Sequence, residues 1–258
     1  MQKLDNTFLD FQYLTYRMIE PIFDPLKFSM SFIRYIQYAV DILKYLSMAG
    51  SERLSVINLY PKIHERSAET YFDRHYFYQD IWAGRKIFAS NTPHHYDVGS
   101  LISLIGHLTT FTKVTFIDIR PLHAKLKNLD SRKGDILHLP FKDNSLLSLS
   151  CLHVAEHIGL GRYGDRLDPN GTLKACRELA RVLRPQGKLY FSLPLGKSRV
   201  CFNAHRIHTV EQILEYFKDL HLIELSGVDD KGNYHEHINR KLFEKANYAC
   251  GLFIFTKN

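Results

Sequence analysis

Carboxylates and small polar residues that follow apolar runs are the first residues of this sequence that could do chemistry. The stretch His94–Asp118 predicts a strand, a turn and a helix, and then a second strand that ends at Asp118. Gly99 can adopt the backbone conformation of a tight turn, and Ser100 could cap the following helix. Asp118 follows Gly99 by 19 residues, and in doubly wound folds a carboxylate about 20 residues after such a turn binds a ribose. The spacing therefore predicts a nucleoside site.

A histidine-rich segment, HVAEH at residues 153–157, offers a competing chemistry because it matches the H-x-x-E-H pattern of an inverted zinc-protease motif. Such a site needs both histidines on one face of a helix, with the glutamate as general base. Here an apolar run precedes His153 and two glycines follow closely, so no long helix is expected. A zinc-dependent hydrolase is therefore a minor alternative. We assign no metal ligands, and we expect His94-His95 and the histidines of residues 235–237 at the surface or in packing.

Strand and helix patterns alternate through most of the chain. One predicted helix follows Ser100 and leads to the second strand. The others lie at residues 76–88, 121–128, 173–183 and 209–217, the last with a capping box of Thr209 and Gln212. The predicted strands lie at residues 94–98, 114–118, 134–137, 146–152, 188–193, 222–228 and 250–255, with a further short one at 54–59. This order predicts an α/β fold with a doubly wound, Rossmann-like and mainly parallel sheet that carries helices on both faces.

Residues 1–74 form a predicted N-terminal helical extension, and residues 75–258 form the main domain. Pro21 and Pro25 divide the extension into a short first piece and a long second helix. Charged residues interrupt the apolar positions of that helix and exclude a membrane span. Because its polar face is not strongly basic, packing on the main domain or on a partner is favoured over membrane-surface contact through residues 27–48.

The composition limits the class of partner. The formal net charge is +7, but the basic residues are scattered and no nucleic-acid motif is present, so a solvated basic surface is favoured over nucleic-acid binding. The four cysteines are widely spaced and form no CxxC pair, which indicates reduced, buried thiols in a cytoplasmic protein. We expect no signal peptide, and the oligomeric state stays open.

Six motifs occur in order, namely DVGS, FIDIRP, GDILHLPF, SLSCLHVAEHIGLGRYGD, ELARVLRPQGKLYFSLPLG and FNAHRIHT. A helix that ends in RVLRPQG and leads into a strand is close to the RVLKPGG signature of class I S-adenosylmethionine-dependent methyltransferases. The chain resembles these enzymes over residues 75–258. More narrowly, HVAEHIGLGRYGD with FNAHRI resembles a methyltransferase-like family of unknown function that was first catalogued in nematodes. The resemblance implies S-adenosylmethionine as cofactor and a seven-stranded sheet with six parallel strands and an antiparallel last strand.

The same resemblance implies a cofactor site made of residues at strand ends, which are Asp97, Gly99, Ser100, Asp118, Asp135, Ile136 and His153. Asp118 would bind the ribose, Asp135 and Ile136 would hold the adenine, and His153 would lie beside the methyl-transfer position. The glycine loop departs from the family, because its GxG is Gly-Ser-Leu here. For Asp97 and Asp118 the alternative is that they cap strand ends.

Methyl transfer needs an oriented acceptor and a group that removes its proton. Histidine titrates in a suitable range, so His157 is our first candidate for the base and His205 the second. We expect Asp165 to lie in the same site and Arg206 to bind an anionic or hydroxyl-rich acceptor. Loops that leave adjacent parallel strands meet at one edge, so these side chains should share a cleft. The alternative is that Glu156, His157, Arg162 and Asp165 only pair to hold the long loop.

These observations lead to two hypotheses of different class. The first is a methyltransferase that acts on an oxygen of a small polar molecule or glycan. The second is a non-catalytic Rossmann-like binding protein that has lost cofactor use together with its glycines. Binding of S-adenosylhomocysteine discriminates between them.

Overall fold

The structure is a computed structural model that describes residues 15–16, 18–19 and 28–258. Two compact units divide the chain, one ending at Tyr71 and the other comprising Phe72–Asn258. The first unit contains helix α1, Phe28–Leu46, and a 3₁₀ turn at Val56–Asn58, where the sequence predicted a short strand. The predicted break at Pro21 and Pro25 lies outside the described residues. No helix among the described residues is long and apolar enough to span a membrane.

The second unit alternates helices and strands in chain order. Its helices are α2 (Arg74–Ala89), α3 (Ile102–Leu108), α4 (Gly171–Val182), α5 (Val210–Tyr216) and α6 (Lys241–Glu244). Its strands are β1 (His94–Val98), β2 (Lys113–Asp118), β3 (Leu129–Lys133), β4 (Leu146–Leu152), β5 (Leu183–Leu195), β6 (Arg199–Cys201), β7 (His205–Ile207), β8 (His221–Val228), β9 (Tyr234–His235) and β10 (Ala249–Thr256). A 3₁₀ turn, Ala155–His157, follows β4.

The described residues form an eight-stranded sheet in the order β3-β2-β1-β4-β5-β10-β8-β9, while β6 and β7 pair as a separate hairpin. β3, β2, β1, β4 and β5 pair in parallel, and β10 lies antiparallel between β5 and β8. The predicted arrangement of six parallel strands and one antiparallel strand is therefore confirmed. The predicted count of seven is too low by one, because the two-residue strand β9 extends the edge beside β8.

The third strand was placed wrongly by sequence. β3 is LDSRK, and it is exposed or half-exposed along its whole length, so it carries no apolar alternation that would reveal a strand. Residues 134–137 instead form a turn, in which the Asp135 carboxylate accepts a hydrogen bond from the Leu137 amide at 2.9 Å. This is the local bonding by which aspartate favours turns over strands. The helix predicted at 121–128 is also absent, and those residues form an irregular connection.

Two apolar cores cover the two faces of the sheet. Tyr190 and Phe191 are consecutive in β5 and belong to different cores, as expected when successive side chains of a strand point to opposite faces. Phe191 packs with Leu179 of α4, and Tyr190 packs with Trp82 of α2. The capping box of Thr209 and Gln212 forms as predicted and begins α5.

The cysteines are unpaired, and three of them, Cys151, Cys176 and Cys250, are buried as predicted. Cys201, in the β6–β7 hairpin, is partly exposed. The order of the sheet changes direction between β1 and β4, and in open α/β sheets ligands bind at the carboxyl ends of the strands beside such a point. Gly99, Asp118 and His153 lie at or directly after three of these carboxyl ends.

Candidate active site

The turn after β1 is held by a buried hydrogen-bond network around Asp97. Its carboxylate accepts bonds from the Ser100 amide at 3.0 Å, from the Ser100 hydroxyl at 2.6 Å and from the Ser150 hydroxyl. Complete burial raises the pKa of Asp97 to about 6. Asp97 lines neither of the two cavities described below. Its hydrogen bonds therefore hold the turn after β1, and the expected contact of Asp97 with the cofactor stays a prediction.

Ser100 is positioned by the same network and does not cap a helix. Its hydroxyl accepts a bond from the Leu152 amide at 3.1 Å, which ties the turn to the end of β4. The residue before the first turn of α3 is Leu101, which makes no side-chain capping bond. Ser100 still lines the smaller cavity, but its amide and hydroxyl are already bonded within the protein.

Gly99 keeps open the space beside Asp118. Its φ of +69° is a conformation that side chains disfavour, and an added Cβ would stand 3.1 Å from Val154 Cγ1 and 3.6 Å from Asp118 Oδ2. Asp118 Oδ1 accepts the Arg120 amide at 2.7 Å, and the side chain is 19% exposed. The pair therefore forms a cradle in which a carboxylate oxygen borders open space.

Two adjoining cavities meet at this cradle. The larger, of about 740 Å³, is lined by Gly99, Asp118, Asp135, Ile136, His153 and His157 among others. The smaller, of about 460 Å³, shares Gly99, Asp118, His153 and His157 and adds Arg162. Cavities that bind small molecules have volumes of roughly 300–1,000 Å³. Each of these two cavities is therefore large enough to hold a small-molecule ligand. Asp135 and Ile136 lie in the turn after β3 and line the larger cavity. They therefore remain at the candidate site, although residues 134–137 form a turn and not the predicted strand.

His153 ends β4 in a strained backbone conformation, with φ of +53°. Its Nδ1 lies 2.5 Å from Gln79 Oε1 in α2 and 3.2 Å from the Ser192 hydroxyl. Because a carbonyl oxygen can only accept, Nδ1 carries the proton and Nε2 is bare. Nε2 is buried and has no hydrogen-bond partner in the described part of the chain. Burial lowers the pKa of His153 to about 3, so the ring is neutral.

The long loop after β4 is braced from within. Asp165 accepts the amides of Gly159 at 2.7 Å, Tyr163 at 3.2 Å and Gly161 at 3.4 Å. Asp165 lines the larger cavity, but its carboxylate is occupied by these amides. This arrangement agrees with the alternative in which Asp165 holds the loop, and it supplies no free base.

Arg206 also braces this loop, which corrects the expectation that it binds an acceptor. The residue is buried, and its guanidinium donates to Ile158 O at 2.5 Å and to Asp168 O at 2.8 Å. It lines neither cavity. Sequence reasoning could not separate the two roles, because an arginine that satisfies buried carbonyls and one that binds a substrate look alike in a loop.

His157 does face both cavities. Its Nδ1 donates to the carbonyl of Ala204 at 2.6 Å, which fixes the tautomer and leaves Nε2 without a proton. Burial, partly opposed by the bond to Ala204, lowers the pKa of His157 to about 4. The ring is therefore neutral at pH 7 and offers a lone pair at Nε2.

His205 lies near His157 but outside these cavities. The two ring centroids are 6.5 Å apart, and the His205 ring is 5.3 Å from that of Tyr248. The expected convergence of the two loops is thus present for the two histidines. The shared cleft is not, because His205 and Arg206 line neither cavity.

The structure defines the surroundings of several further side chains near the site. Glu156 is completely buried, and neither carboxylate oxygen has a hydrogen-bond partner within the described residues. Burial raises the pKa of Glu156 to about 8, and its Oε1 lies 3.7 Å from His157 Nε2. Gln79 could have been noticed as an amide on the apolar stripe of a predicted helix. Nothing in the sequence distinguishes Arg120 and Arg162, whose guanidiniums lie 4.6 and 5.2 Å from the centre of the Tyr163 ring at the cavity wall.

The inverted zinc-protease arrangement does not form. Ala155–His157 is a single 3₁₀ turn, and the two histidines of HVAEH bond to different elements, His153 to Gln79 and His157 to Ala204. The required pair of histidines on one helical face is therefore missing from this segment.

The fold of this chain is similar to that of several solved structures. A protein from Galdieria sulphuraria described as a sarcosine dimethylglycine methyltransferase is 14% identical, with a TM-score of 0.52, over 70% of this chain and 86% of that one. The N-methyltransferase NodS from Bradyrhizobium japonicum, in complex with S-adenosyl-L-homocysteine, is 13% identical, with a TM-score of 0.50, over 84% of this chain and 97% of that one. The chain has the class I methyltransferase fold. The [4+2]-cyclase SpnF is also similar, at 14% identity and a TM-score of 0.50 over 69% of this chain and 80% of that one, so the fold alone does not fix a reaction.

Sequence comparisons match a shorter part of the chain. Residues 144–238 match a family described as "Caenorhabditis protein of unknown function, DUF268", which agrees with the narrower resemblance. An uncharacterized protein of Methanocaldococcus jannaschii is 34% identical over 95 residues, which is 36% of this chain. The chain covers only 37% of the length of that relative. The segment that matches the family, residues 144–238, contains β4, the braced loop, His157 and His205.

Proposed function

We propose that this protein is an S-adenosylmethionine-dependent methyltransferase that acts on a hydroxyl oxygen of a small polar molecule or glycan. One observation carries the proposal: the Gly99–Asp118 cradle and His157 line the same two cavities. A carboxylate suited to a ribose and a candidate base would thus lie beside one bound cofactor and its acceptor.

The residues present fit this cofactor. Asp118 would accept hydrogen bonds from the ribose hydroxyls, and the absence of a side chain at Gly99 leaves room for the sugar beside the carboxylate. Ile136 is apolar and buried, and with Asp135 it lines the region where an adenine would be held. When bound, S-adenosylmethionine supplies an electrophilic methyl group attached to a sulfonium sulfur.

The protein's part in the reaction would be orientation and proton removal. The hydroxyl of the acceptor would donate to Nε2 of His157, which then takes the proton as the new oxygen–carbon bond forms and the carbon–sulfur bond breaks. The Ala204 carbonyl, at 2.6 Å from Nδ1, would stabilise the imidazolium that results. Arg120 and Arg162 line the smaller cavity and replace Arg206 as the candidates for binding an anionic or hydroxyl-rich acceptor.

Titration calorimetry with S-adenosylhomocysteine tests the cofactor, and a turnover assay tests the base. We expect saturable binding at one site per chain. His157→Ala should retain that binding and lose turnover of an identified acceptor, while His205→Ala should retain both. Lack of binding by the folded protein would favour the non-catalytic Rossmann-like hypothesis, and full turnover by His157→Ala would remove His157 as the base.

The environment of the protein is part of the proposal. We propose a cytoplasmic protein without a nucleic-acid partner. Four unpaired cysteines support the compartment, and the scattered basic residues of the sequence support the partner class.

A further inference from the structure

A cluster of two imidazoles and a thiol includes His153 of the cavity wall, and none of its members is the base of the proposed methyl transfer. His75 lies in the first turn of α2, His153 directly follows β4, and Cys250 is the second residue of β10. One ligand atom from each, two nitrogens and a sulfur, all lie within 4.8 Å of one another. We propose that these three side chains bind a zinc ion.

His153 is arranged as metal-ligating histidines usually are. In such histidines, the ring nitrogen that does not bind the metal donates a hydrogen bond to an oxygen. This bond fixes the tautomer and directs the other, unprotonated nitrogen toward the metal. Here Nδ1 donates a hydrogen bond to the Gln79 side-chain oxygen at 2.5 Å. The bare Nε2 is buried and lacks a hydrogen-bond partner among the described residues. Buried polar atoms without partners are rare in native structures. A bound metal ion would give this nitrogen a partner.

The other two members can complete the site. Cys250 is fully buried, and its thiol makes a long contact, of 4.0 Å, with the Gly251 carbonyl. His75 stacks on Tyr248 with ring centroids 5.2 Å apart. It also lines a separate cavity of about 510 Å³ together with Asp229 and Asp230.

The donor set selects zinc over magnesium or calcium. Two imidazole nitrogens and a thiolate are ligands of zinc, whereas magnesium and calcium require oxygens. Zinc bonds of about 2.0–2.3 Å place tetrahedral ligand atoms roughly 3.3–3.8 Å apart, so the side chains need to close by about 1 Å. The thiol of Cys250 would release its proton on binding.

A zinc ion here would join α2, the end of β4 and the start of β10 at the carboxyl edge of the sheet. It would therefore fix the position of His153, which lines both cavities. This role does not depend on the proposed methyl transfer, because zinc binding is measured without cofactor or acceptor.

Metal content and Co²⁺ spectroscopy test the site on the whole chain. After removal of metal with a chelator and addition of Zn²⁺, we expect one zinc per chain in the wild type. Co²⁺ should give a thiolate-to-metal absorption band in the near ultraviolet. Cys250→Ser and His75→Gln should lose most of the zinc, and Cys250→Ser should lose the band.

Two matched variants serve as controls. Cys201→Ser removes a thiol from the β6–β7 hairpin, and His94→Gln removes a half-exposed imidazole from β1; both should bind zinc as the wild type does. Wild type that takes up no more zinc than Cys250→Ser would overturn the proposal, as would an unchanged Co²⁺ band in that variant. If Cys250→Ser fails to fold, thermal unfolding of the wild type decides, because its melting temperature should rise with Zn²⁺ concentration and a constant value would contradict the site.

Discussion

At the residue scale, the candidate site depends on carboxylates and histidines whose chemistry is set by what surrounds them. Asp97 and Asp118 end neighbouring strands. Asp97 is saturated by two serines, whereas Asp118 borders a cavity. The same residue type therefore acts as a structural cap in one strand and as a candidate ligand in the next.

Asp118→Ala is expected to weaken binding of S-adenosylhomocysteine by about 1–3 kcal/mol, because charge-assisted hydrogen bonds to the ribose would be lost. Titration calorimetry measures the change, and circular dichroism checks that the variant is folded. Asp130→Ala is the matched control, since Asp130 lies on β3 and lines neither cavity. A folded Asp118→Ala that binds as tightly as the wild type would show that the ribose contact is wrong.

Glu156 makes stability depend on pH in a direction that follows from its raised pKa. Burial raises that pKa from 4.5 to about 8, so between these values the folded chain keeps a proton that the unfolded chain releases. The extra proton held by the folded chain makes its full contribution to the unfolding free energy below pH 4.5. That contribution is lost progressively as the pH rises toward 8, because the unfolded chain is stabilised by releasing the proton. Glutamine does not ionise, so the unfolding free energy of Glu156→Gln should not fall over this pH range. At pH 7 the variant should therefore be more stable than the wild type by at most about 3 kcal/mol.

Urea denaturation at a series of pH values tests this expectation. The difference in unfolding free energy between Glu156→Gln and the wild type should grow from acid to neutral pH. Glu215→Gln, an exposed glutamate of α5, should follow the wild-type curve. Parallel curves for Glu156→Gln and the wild type would mean that Glu156 is ionised in the folded protein.

At the scale of elements, the loop after β4 is held by side chains that sequence analysis assigned to catalysis. Arg206→Ala is expected to lower the unfolding free energy by about 1.5–3 kcal/mol, because buried carbonyls of the loop lose a charged donor. Arg162→Ala should change stability by less than about 0.5 kcal/mol, since Arg162 is exposed. Chemical denaturation of both variants compares them. Equal stabilities would show that Arg206 does not brace the loop.

At the scale of the whole molecule, the unit Phe72–Asn258 contains the complete sheet and both apolar cores. We expect a chain that begins at Phe72 to unfold cooperatively and to bind S-adenosylhomocysteine with the affinity of the full chain. Thermal unfolding and calorimetry measure the two properties. A truncated chain that aggregates or unfolds without a transition would show that residues before Phe72 are needed for this unit to fold.

Periodicity by itself determined most of the architecture. The continuous apolar run of β4, the striped helix α4 and the capping box of α5 all formed close to their predicted bounds, because burial on two faces or on one leaves a regular pattern. The exposed strand β3 left no such pattern, and an aspartate turn was mistaken for it. Gly99 and Asp118 lie at the strand ends where the sequence placed them, because short local spacing fixes such positions, and both line the cavities.

Only the tertiary structure decided which polar side chains face a ligand. Arg206 and Arg162 are alike in sequence, yet one satisfies buried carbonyls and the other lines a cavity. Sequence placed Glu156 in the loop after β4, but only the structure shows that its carboxylate is completely buried without a hydrogen-bond partner among the described residues. His75, His153 and Cys250 come from three distant parts of the chain, and packing of α2, β4 and β10 brings them together. Local sequence encodes periodicity and turn chemistry, whereas burial, hydrogen-bond saturation and distant contacts arise only when the elements pack.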